Sequence, residues 1–118
     1  MKRLALAVLV LVVAAGCGAG ERSGRTLEVA EARESGSDDV VRVRGLLYTD
    51  DRGRTFRLCS ALAESYPPQC GEPSLLVESS VYEFDDLTHA GDVGWSEQQV
   101  EVTGRVRDGT LTVVDVTE

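Results

Sequence analysis

The chain has 118 residues, which is enough for one folded domain and too few for two of ordinary size. Its 20 acidic residues outnumber its 12 basic ones and leave a formal net charge of −8. Coulomb repulsion opposes the approach of polyanions to such a chain, so the charge predicts that nucleic acid and anionic lipid headgroups are not partners. Aromatic residues make up 5% of the chain, so valine and leucine must supply most of the core.

The first residues have the pattern of an export leader. Met1-Lys2-Arg3 is basic, residues 4–13 are apolar, and Ala14-Ala15-Gly16 are small residues of the kind that a signal peptidase requires. A membrane-spanning helix needs about 20 apolar residues, so this run is too short for a permanent anchor. The pattern predicts a signal peptide over residues 1–16, and its removal would make the remaining chain still more acidic.

The small residues that follow the apolar run lead directly to Cys17. Ala14-Ala15-Gly16-Cys17 resembles the bacterial lipobox, although leucine is more usual at the position of Ala14. The resemblance implies that Cys17 becomes the first mature residue and carries a diacylglyceryl group, whose two acyl chains would anchor the protein stably. The alternative is ordinary cleavage and release, with Cys17 as part of the leader. We expect an extracytoplasmic, lipid-anchored protein with the membrane as one partner and an envelope protein or component as another.

A flexible polar tether is expected over residues 17–25, followed by the folded domain over residues 26–118. Alternation of apolar and polar residues with period two predicts half-buried strands. Five segments show it, at residues 39–48, 54–59, 72–78, 98–107 and 110–116. Turns are predicted at residues 49–53 and at Asp108-Gly109, where Gly53 and Gly109 can supply a positive φ.

The other connections are expected to be short helices or loops. Thr26 can cap a helix that reaches Glu34, and Asp85 can cap another that ends near Gly91. Residues 61–68 are expected to form a loop or helical turn, because a proline pair ends any helix there.

Two strands share the pattern Val-x-Val-x-Gly, in residues 41–45 and 100–104. Glycine inside a strand marks a bend, a bulge or a close backbone approach, and small barrels need such bends to close. Three strands, a short helix and a two-stranded hairpin form the order of an OB-fold barrel, which residues 40–116 resemble. The expected fold is all-β, a small five-stranded OB-like barrel with short helices.

The remaining two cysteines, Cys59 and Cys70, are predicted to form a disulfide that staples residues 59–70. The alternative is a redox-active pair, but catalytic dithiols favour the spacing Cys-x-x-Cys. Leu58-Cys59 and Tyr66-Pro67-Pro68-Gln69-Cys70-Gly71 together resemble a feature of small lipoproteins from GC-rich Gram-positive bacteria. That resemblance implies an envelope location and no particular activity.

The best ligand candidate is a set of arginines on the outer face of the predicted barrel, with a tyrosine that could add a stacking surface. Its members are Arg42, Arg44, Tyr48, Arg57 and Arg105. The alternative is structural, because cross-strand pairing with Glu78, Glu101 or Asp115 would neutralise the arginines.

Two further groups of residues have weaker functional interpretations. Asp85, Asp86, His89 and Asp92 have the side chains of metal ligands, but helix capping by Asp85 and a solvated His89 are favoured, so no metal or cofactor is expected. Tyr66, Pro67, Pro68 and Trp95 could form an exposed patch for a partner or sugar, although a lone tryptophan is more often a core residue.

Catalytic motifs are not evident in this sequence, which has no Gly-x-Ser-x-Gly, no His-Glu-x-x-His and no P-loop. We expect a non-enzymatic binding or accessory module of the cell envelope. Two alternatives stay open. One is a structural interaction domain that uses the Tyr66–Trp95 patch, and the other is a hydrolase with two carboxylates about 5 to 9 Å apart.

Overall fold

The computed structural model describes residues 25–35, 39–79 and 82–117. The strands are β1 (Thr26–Glu28), β2 (Val40–Thr49), β3 (Phe56–Ala63), β4 (Gln69–Glu78), β5 (Thr88–Ala90), β6 (Val93–Trp95), β7 (Val100–Arg107) and β8 (Thr110–Thr117). One α-helix, α1 (Val29–Ser35), and one 3-10 helix (Phe84–Asp86) complete the described part. No helix within these ranges has the length and apolar character of a membrane span.

Five strands close into a barrel in the order β2-β3-β4-β8-β7 and back to β2. All neighbours are antiparallel except β4 and β8, which are parallel. β2 closes the ring because Val40–Gly45 pair with β7, whereas Leu46–Tyr48 pair with β3. The prediction of a small all-β, OB-like barrel of five strands is therefore confirmed.

The barrel core consists of inward-facing aliphatic residues from each of the five strands. Its fully buried members include Val43, Leu58, Leu75, Val102 and Leu111. Val43, Val102 and Leu111 alternate with exposed or half-exposed residues, as period two requires, whereas Leu58 and Leu75 each have a buried neighbour, Cys59 and Ser74. The apolar pattern from which the strands were predicted is thus the pattern of burial.

Glycine is required where the two Val-x-Val-x-Gly segments approach their neighbours. A Cβ atom at Gly45 would lie 2.8 Å from Leu58 Cγ and 2.9 Å from the carbonyl oxygen of Cys59. A Cβ atom at Gly104 would collide with the carbonyl oxygen of Thr112, next to a bulge between Thr103 and Gly104. Both glycines mark close backbone approaches, as the sequence predicts.

The segment that precedes β2 differs from its prediction. Thr26 does not cap a helix, because Thr26–Glu28 pair in parallel with Arg42–Arg44 of β2. The helix begins only at Val29, and the backbone N–H of Glu28 donates to Glu31 Oε1 at 3.0 Å. Long-range pairing with β2 thus overrides the local helix signal. Val29 and Ala32 of α1 are fully buried and extend the barrel core.

The second predicted helix is wrong. Asp85 lies inside a 3-10 helix of three residues that has no side-chain cap, and residues 88–95 form the hairpin β5–β6. Gly91 is the first residue of its two-residue turn, with φ of 62°, as in a type II′ turn. Gly91, which suggested a helix end, therefore lies in a hairpin turn. The hairpin forms because β6 pairs through Trp95 and Gly94 with the end of β2.

The predicted loop over residues 61–68 is shorter than expected. β3 continues to Ala63 and β4 begins at Gln69, so residues 64–68 alone form the connection. The register of the β3–β4 pairing shifts between Cys59 and Ala61, where the ladder is irregular. Main-chain pairing between β3 and β4 is the reason, since Leu62 stands opposite Cys70 and their backbone groups are satisfied.

The predicted disulfide between Cys59 and Cys70 is present. It joins β3 to β4 and belongs to a second apolar cluster, in which Tyr48, Cys59 and Trp95 are the buried members. Leu62, Cys70 and the hairpin residues Ala90 and Val93 pack against it. This outer cluster fastens the β5–β6 hairpin to the outside of the barrel.

We expect Gly104→Ala to lower the free energy of unfolding by about 1 to 3 kcal/mol, because the new methyl group forces the β7 and β8 backbones apart. Urea unfolding followed by circular dichroism measures the loss. Gly91→Asn is the control, because open space surrounds Gly91 and asparagine tolerates a left-handed backbone. Equal stability of wild type and Gly104→Ala would contradict the close approach.

We expect the double variant Cys59→Ala, Cys70→Ala to unfold at a lower temperature than the wild type. The loop that this disulfide closes spans 11 residues, for which chain entropy predicts about 3 kcal/mol. A reducing agent should lower the melting temperature of the wild type and leave that of the double variant unchanged. An unchanged wild-type melting temperature after verified reduction would contradict the stabilising role.

Candidate functional site

Two arginines of the predicted face form ion pairs with glutamates. Arg42 Nε lies 3.9 Å from Glu101 Oε1, and Arg44 Nη2 lies 3.6 Å from Glu101 Oε2. Arg44 Nη1 also lies 3.6 Å from Glu28 Oε2. The cross-strand partner expected from the sequence, Glu101, therefore contacts both arginines and offsets much of their charge.

The other members of the arginine face are dispersed. Arg57, on β3, pairs with Tyr48 of β2, and Arg105, on β7, pairs with Val40 at the other end of β2. Arg57 Nη1 donates to Ser74 Oγ at 3.3 Å. Tyr48 is 7% exposed, and burial, together with the nearby charge of Asp50, raises its pKa. The fold thus places Tyr48 in the outer cluster, where little of its ring is open for stacking on a ligand. Ligand binding by this face stays a prediction.

The aromatic patch contains one exposed ring and one buried ring. Tyr66 is 81% exposed, whereas Trp95 is 7% exposed. Their rings meet edge to face with centroids 6.1 Å apart. Pro68 is buried and Pro67 half-buried. The alternative in which Trp95 is a packing residue is confirmed, so the exposed part of this patch is Tyr66.

The four residues with metal-ligand side chains do not converge. His89 stacks on the Phe84 ring with centroids 4.6 Å apart, and Asp92 Oδ1 lies 2.9 Å from Arg52 Nη2. In the described part of the chain, no three His, Cys, Asp or Glu residues are grouped so that they could hold a metal ion. Asp85 and Asp86 lie in the 3-10 helix.

A cleft of about 380 Å³ lies where the connection between β4 and β7 crosses the barrel. Its apolar lining comprises Leu47, Tyr82, Leu87, Trp95 and Val100. Its polar lining comprises Glu83, Asp86, Thr88, Ser96, Glu97, Gln98 and Gln99. None of the described residues that line it is basic.

The barrel positions the floor of this cleft. The backbone N–H of Ser96 donates to the Leu47 carbonyl at 2.9 Å, and the Leu47 N–H donates to Ser96 Oγ at 3.0 Å. This reciprocal pair extends the pairing of β2 with β6 and holds the chain directly after Trp95. Leu47 itself is buried in the barrel core, so the floor is attached to that core.

Small residues and ion pairs hold the wall of the cleft. A Cβ atom at Gly94 would lie 3.1 Å from Phe84 Cε1 and 3.2 Å from Leu87 Cδ1, so the 3-10 helix packs directly on β6. Arg52, in the β2–β3 loop, pairs with Asp92 and lies 5.8 Å from the centre of the Phe84 ring. The wall is thereby connected to the loop on the neighbouring side of the barrel.

The sequence interpretation missed most of this cleft. Glu83 and the run Glu97-Gln98-Gln99 were not singled out, and Asp86 was considered only as a metal ligand. One signal was present: three polar residues in succession stand directly before the apolar alternation of β7. Polar runs of this kind are ordinary in loops, so the signal identifies a site only after the fold joins residues 82–88 to residues 95–100.

No protein-family model matches this chain, and no curated protein matches it. Among solved structures, the telomere capping protein Ten1 from Saccharomyces pombe is similar, with a TM-score of 0.49 and 16% sequence identity. The match covers 79% of this chain and 78% of that chain. A likeness of this size concerns the barrel fold alone.

The prediction that nucleic acid is not a partner is wrong. That prediction relied on net charge, and a solved structure with a similar barrel is that of a telomere capping protein. Net charge is an average over the whole surface, whereas a binding face is local. The exclusion is withdrawn, and the match assigns no partner to this chain.

The β2–β3 loop beside the cleft is organised by Asp51. Its Oδ1 accepts hydrogen bonds of 2.8 Å from the Thr55 N–H and from Thr49 Oγ1. Partial burial acts to raise the pKa of Asp51, but these bonds and others from Thr55 and Arg54 outweigh it, so its pKa is lowered below the ordinary 3.8. Thr49 Oγ1 also accepts from the Gly53 N–H at 3.0 Å.

Asp51→Ala should lower the free energy of unfolding by about 1 kcal/mol at neutral pH, because the loop donors lose their acceptor. A lowered pKa means that folding favours the carboxylate, so its stabilisation is present above pH 3.8 and is lost as the pH falls through the lowered value. Urea unfolding between pH 2 and 7 tests both effects. Asp50→Ala, at an exposed neighbour, is the control, and an identical pH profile for the two variants would contradict the role of Asp51.

Proposed function

We propose that this protein is an exported, lipid-anchored binding module of the cell envelope that performs no catalysis. The observation that carries the binding role is the cleft of about 380 Å³, which lies within the volume range of small-molecule sites, roughly 300 to 1,000 Å³. The barrel supports the cleft as a scaffold, and the connection between β4 and β7 supplies most of its lining.

The location has two lines of support. The predicted leader, residues 1–16, is followed by Cys17, and Ala14-Ala15-Gly16-Cys17 resembles a lipobox. The domain also carries a disulfide between Cys59 and Cys70, and disulfides persist mainly in oxidising compartments. A tether over residues 17–25 would let the barrel reach ligands near the membrane surface.

A binding role accounts for the site better than a catalytic one. The cleft residues Glu83, Asp86 and Glu97 are all exposed to solvent, whereas catalytic acids and bases are commonly tuned by burial. Binding needs only shape and complementary groups, and the cleft has both an apolar floor and a polar rim.

Replacing Cys17 by alanine removes the only thiol that the lipobox offers for acylation. We expect the membrane-bound fraction to fall about tenfold or more, because stable anchoring requires the two acyl chains. Cell fractionation with immunoblotting measures the distribution, and intact-mass analysis of wild-type protein extracted from membranes should show the diacylglyceryl group. Ser23→Ala, which changes the tether but leaves residues 14–17 intact, is the control.

The melting temperature of the Cys17→Ala variant should equal that of the wild type, because residue 17 precedes all the described strands and helices in the chain. An unchanged membrane-bound fraction, or a wild-type mass without a lipid group, would overturn the proposed location.

A further inference from the structure

The cleft joins two surfaces of opposite character. Its floor includes Trp95 and Leu47, which are 7% and 1% exposed, together with the half-buried Val100. Its rim carries exposed carboxylates and amides from two separate stretches of chain, residues 83–88 and 96–99. A ligand that fills it must present an apolar body to the floor and polar or charged groups to the rim.

Ion pairs among the described residues do not involve the carboxylates of the rim. In the described part of the chain, Glu28, Glu31, Glu101 and Asp92 each form an ion pair with an arginine. Glu83, Asp86 and Glu97 take part in none of the ion pairs between described residues, and none of the described residues that line the cleft is basic. Clefts lined by one sign of charge concentrate the field and attract ligands of the opposite sign.

The arginine that lies over the Phe84 ring is engaged elsewhere. Arg52 reaches Phe84, yet its guanidinium lies 2.9 Å from Asp92 Oδ1, on the hairpin side of the 3-10 helix. Its backbone N–H also donates to the Asp92 carbonyl at 3.0 Å. These contacts fix Arg52 to the hairpin turn, so the negative potential of the cleft is not relieved from that side.

The uncharged rim groups are also acceptors of the required kind. Gln98 and Gln99 offer amide oxygens, and Thr88 offers a hydroxyl. An ammonium has three donors and a guanidinium has five, so either group could use carboxylate and amide oxygens at once. The indole of Trp95 and the ring of Tyr82 provide the aromatic lining against which alkyl stems and cations pack favourably.

From this complementarity we propose that the cleft binds an organic cation, an ammonium or guanidinium group carried on an alkyl stem. The stem lies on the half-buried side chains of Tyr82, Leu87 and Val100. The cationic head lies among the carboxylates of Glu83, Asp86 and Glu97. Such a group belongs to a free polyamine or to a lysine or arginine side chain of a peptide. This inference names the ligand class of the proposed binding module and depends on that function.

Isothermal titration calorimetry of the full chain in detergent tests the proposal. Spermidine represents the polyamine source, acetyl-Gly-Arg-Gly-amide represents the peptide source, and 1,8-octanediol is a neutral probe with an alkyl stem. We expect saturable binding of at least one cationic probe, and the probe that binds more tightly identifies the source. The affinity for the diol should be at least tenfold weaker. Raising the salt concentration should weaken cation binding, because exposed charges are screened.

Three isosteric variants locate the site. Glu83→Gln, Asp86→Asn and Glu97→Gln should each weaken cation binding about threefold to fivefold, and the triple variant about twentyfold or more. Glu34→Gln, at an exposed position on α1, is the matched control and should bind as the wild type does. The chain has one tryptophan, so the fluorescence of Trp95 should change and saturate with the calorimetric signal.

Several outcomes would overturn the proposal. They are the absence of saturable binding by both cationic probes, unchanged affinity in the triple variant with an unchanged melting temperature, and tighter binding of the diol or of a single-stranded oligonucleotide than of either cation. Because the titration uses detergent-solubilised full chain, it does not depend on anchoring. A failed cleft therefore leaves the Cys17 result standing, and a failed anchor leaves the titration standing.

Discussion

Closure of the barrel at β2 is the constraint on which the rest of the structure depends. β2 pairs with β7 through Val40–Gly45 and with β3 through Leu46–Tyr48, so one strand supplies hydrogen bonds to both sides of the ring. The missing side chain of Gly45 allows this, since Leu58 and the Cys59 carbonyl occupy the space that a Cβ atom would need. A closed ring has no exposed edges, and it encloses a core of valine and leucine in a chain with few aromatic residues.

The outside of the barrel is organised by a second apolar cluster. Tyr48, Cys59 and Trp95 are buried against one another, and the disulfide to Cys70 lies among them. This cluster occupies part of the outer face and brings the β5–β6 hairpin against the end of β2. The cleft is a consequence of that docking, because it opens between residues 82–88 and residues 95–100, the two stretches that flank the hairpin in the chain.

Electrostatics divides the surface into paired and unpaired regions. Glu101 and Glu28 offset the charge of Arg42 and Arg44, whereas no arginine in the described part of the chain forms an ion pair with the carboxylates at the cleft. The acidic excess of the chain is therefore distributed unevenly. For the same reason, net charge was an unsound ground on which to exclude a partner, since binding responds to the local potential and not to the sum.

The sequence alone determined the five barrel strands, the hairpin turn at Asp108-Gly109 and the pairing of Cys59 with Cys70. Alternation of apolar residues and glycine turns are local signals, and the position of Cys17 in the leader left two cysteines to pair. Only the tertiary structure decided that Thr26–Glu28 form a strand, that a hairpin replaces the second helix and that Trp95 is buried. Those outcomes depend on contacts between residues far apart in the chain: β1 with β2, Gly94 with Phe84, and Ser96 with Leu47. The cleft has the same origin, because no pattern within residues 82–100 specifies the packing that joins its two sides.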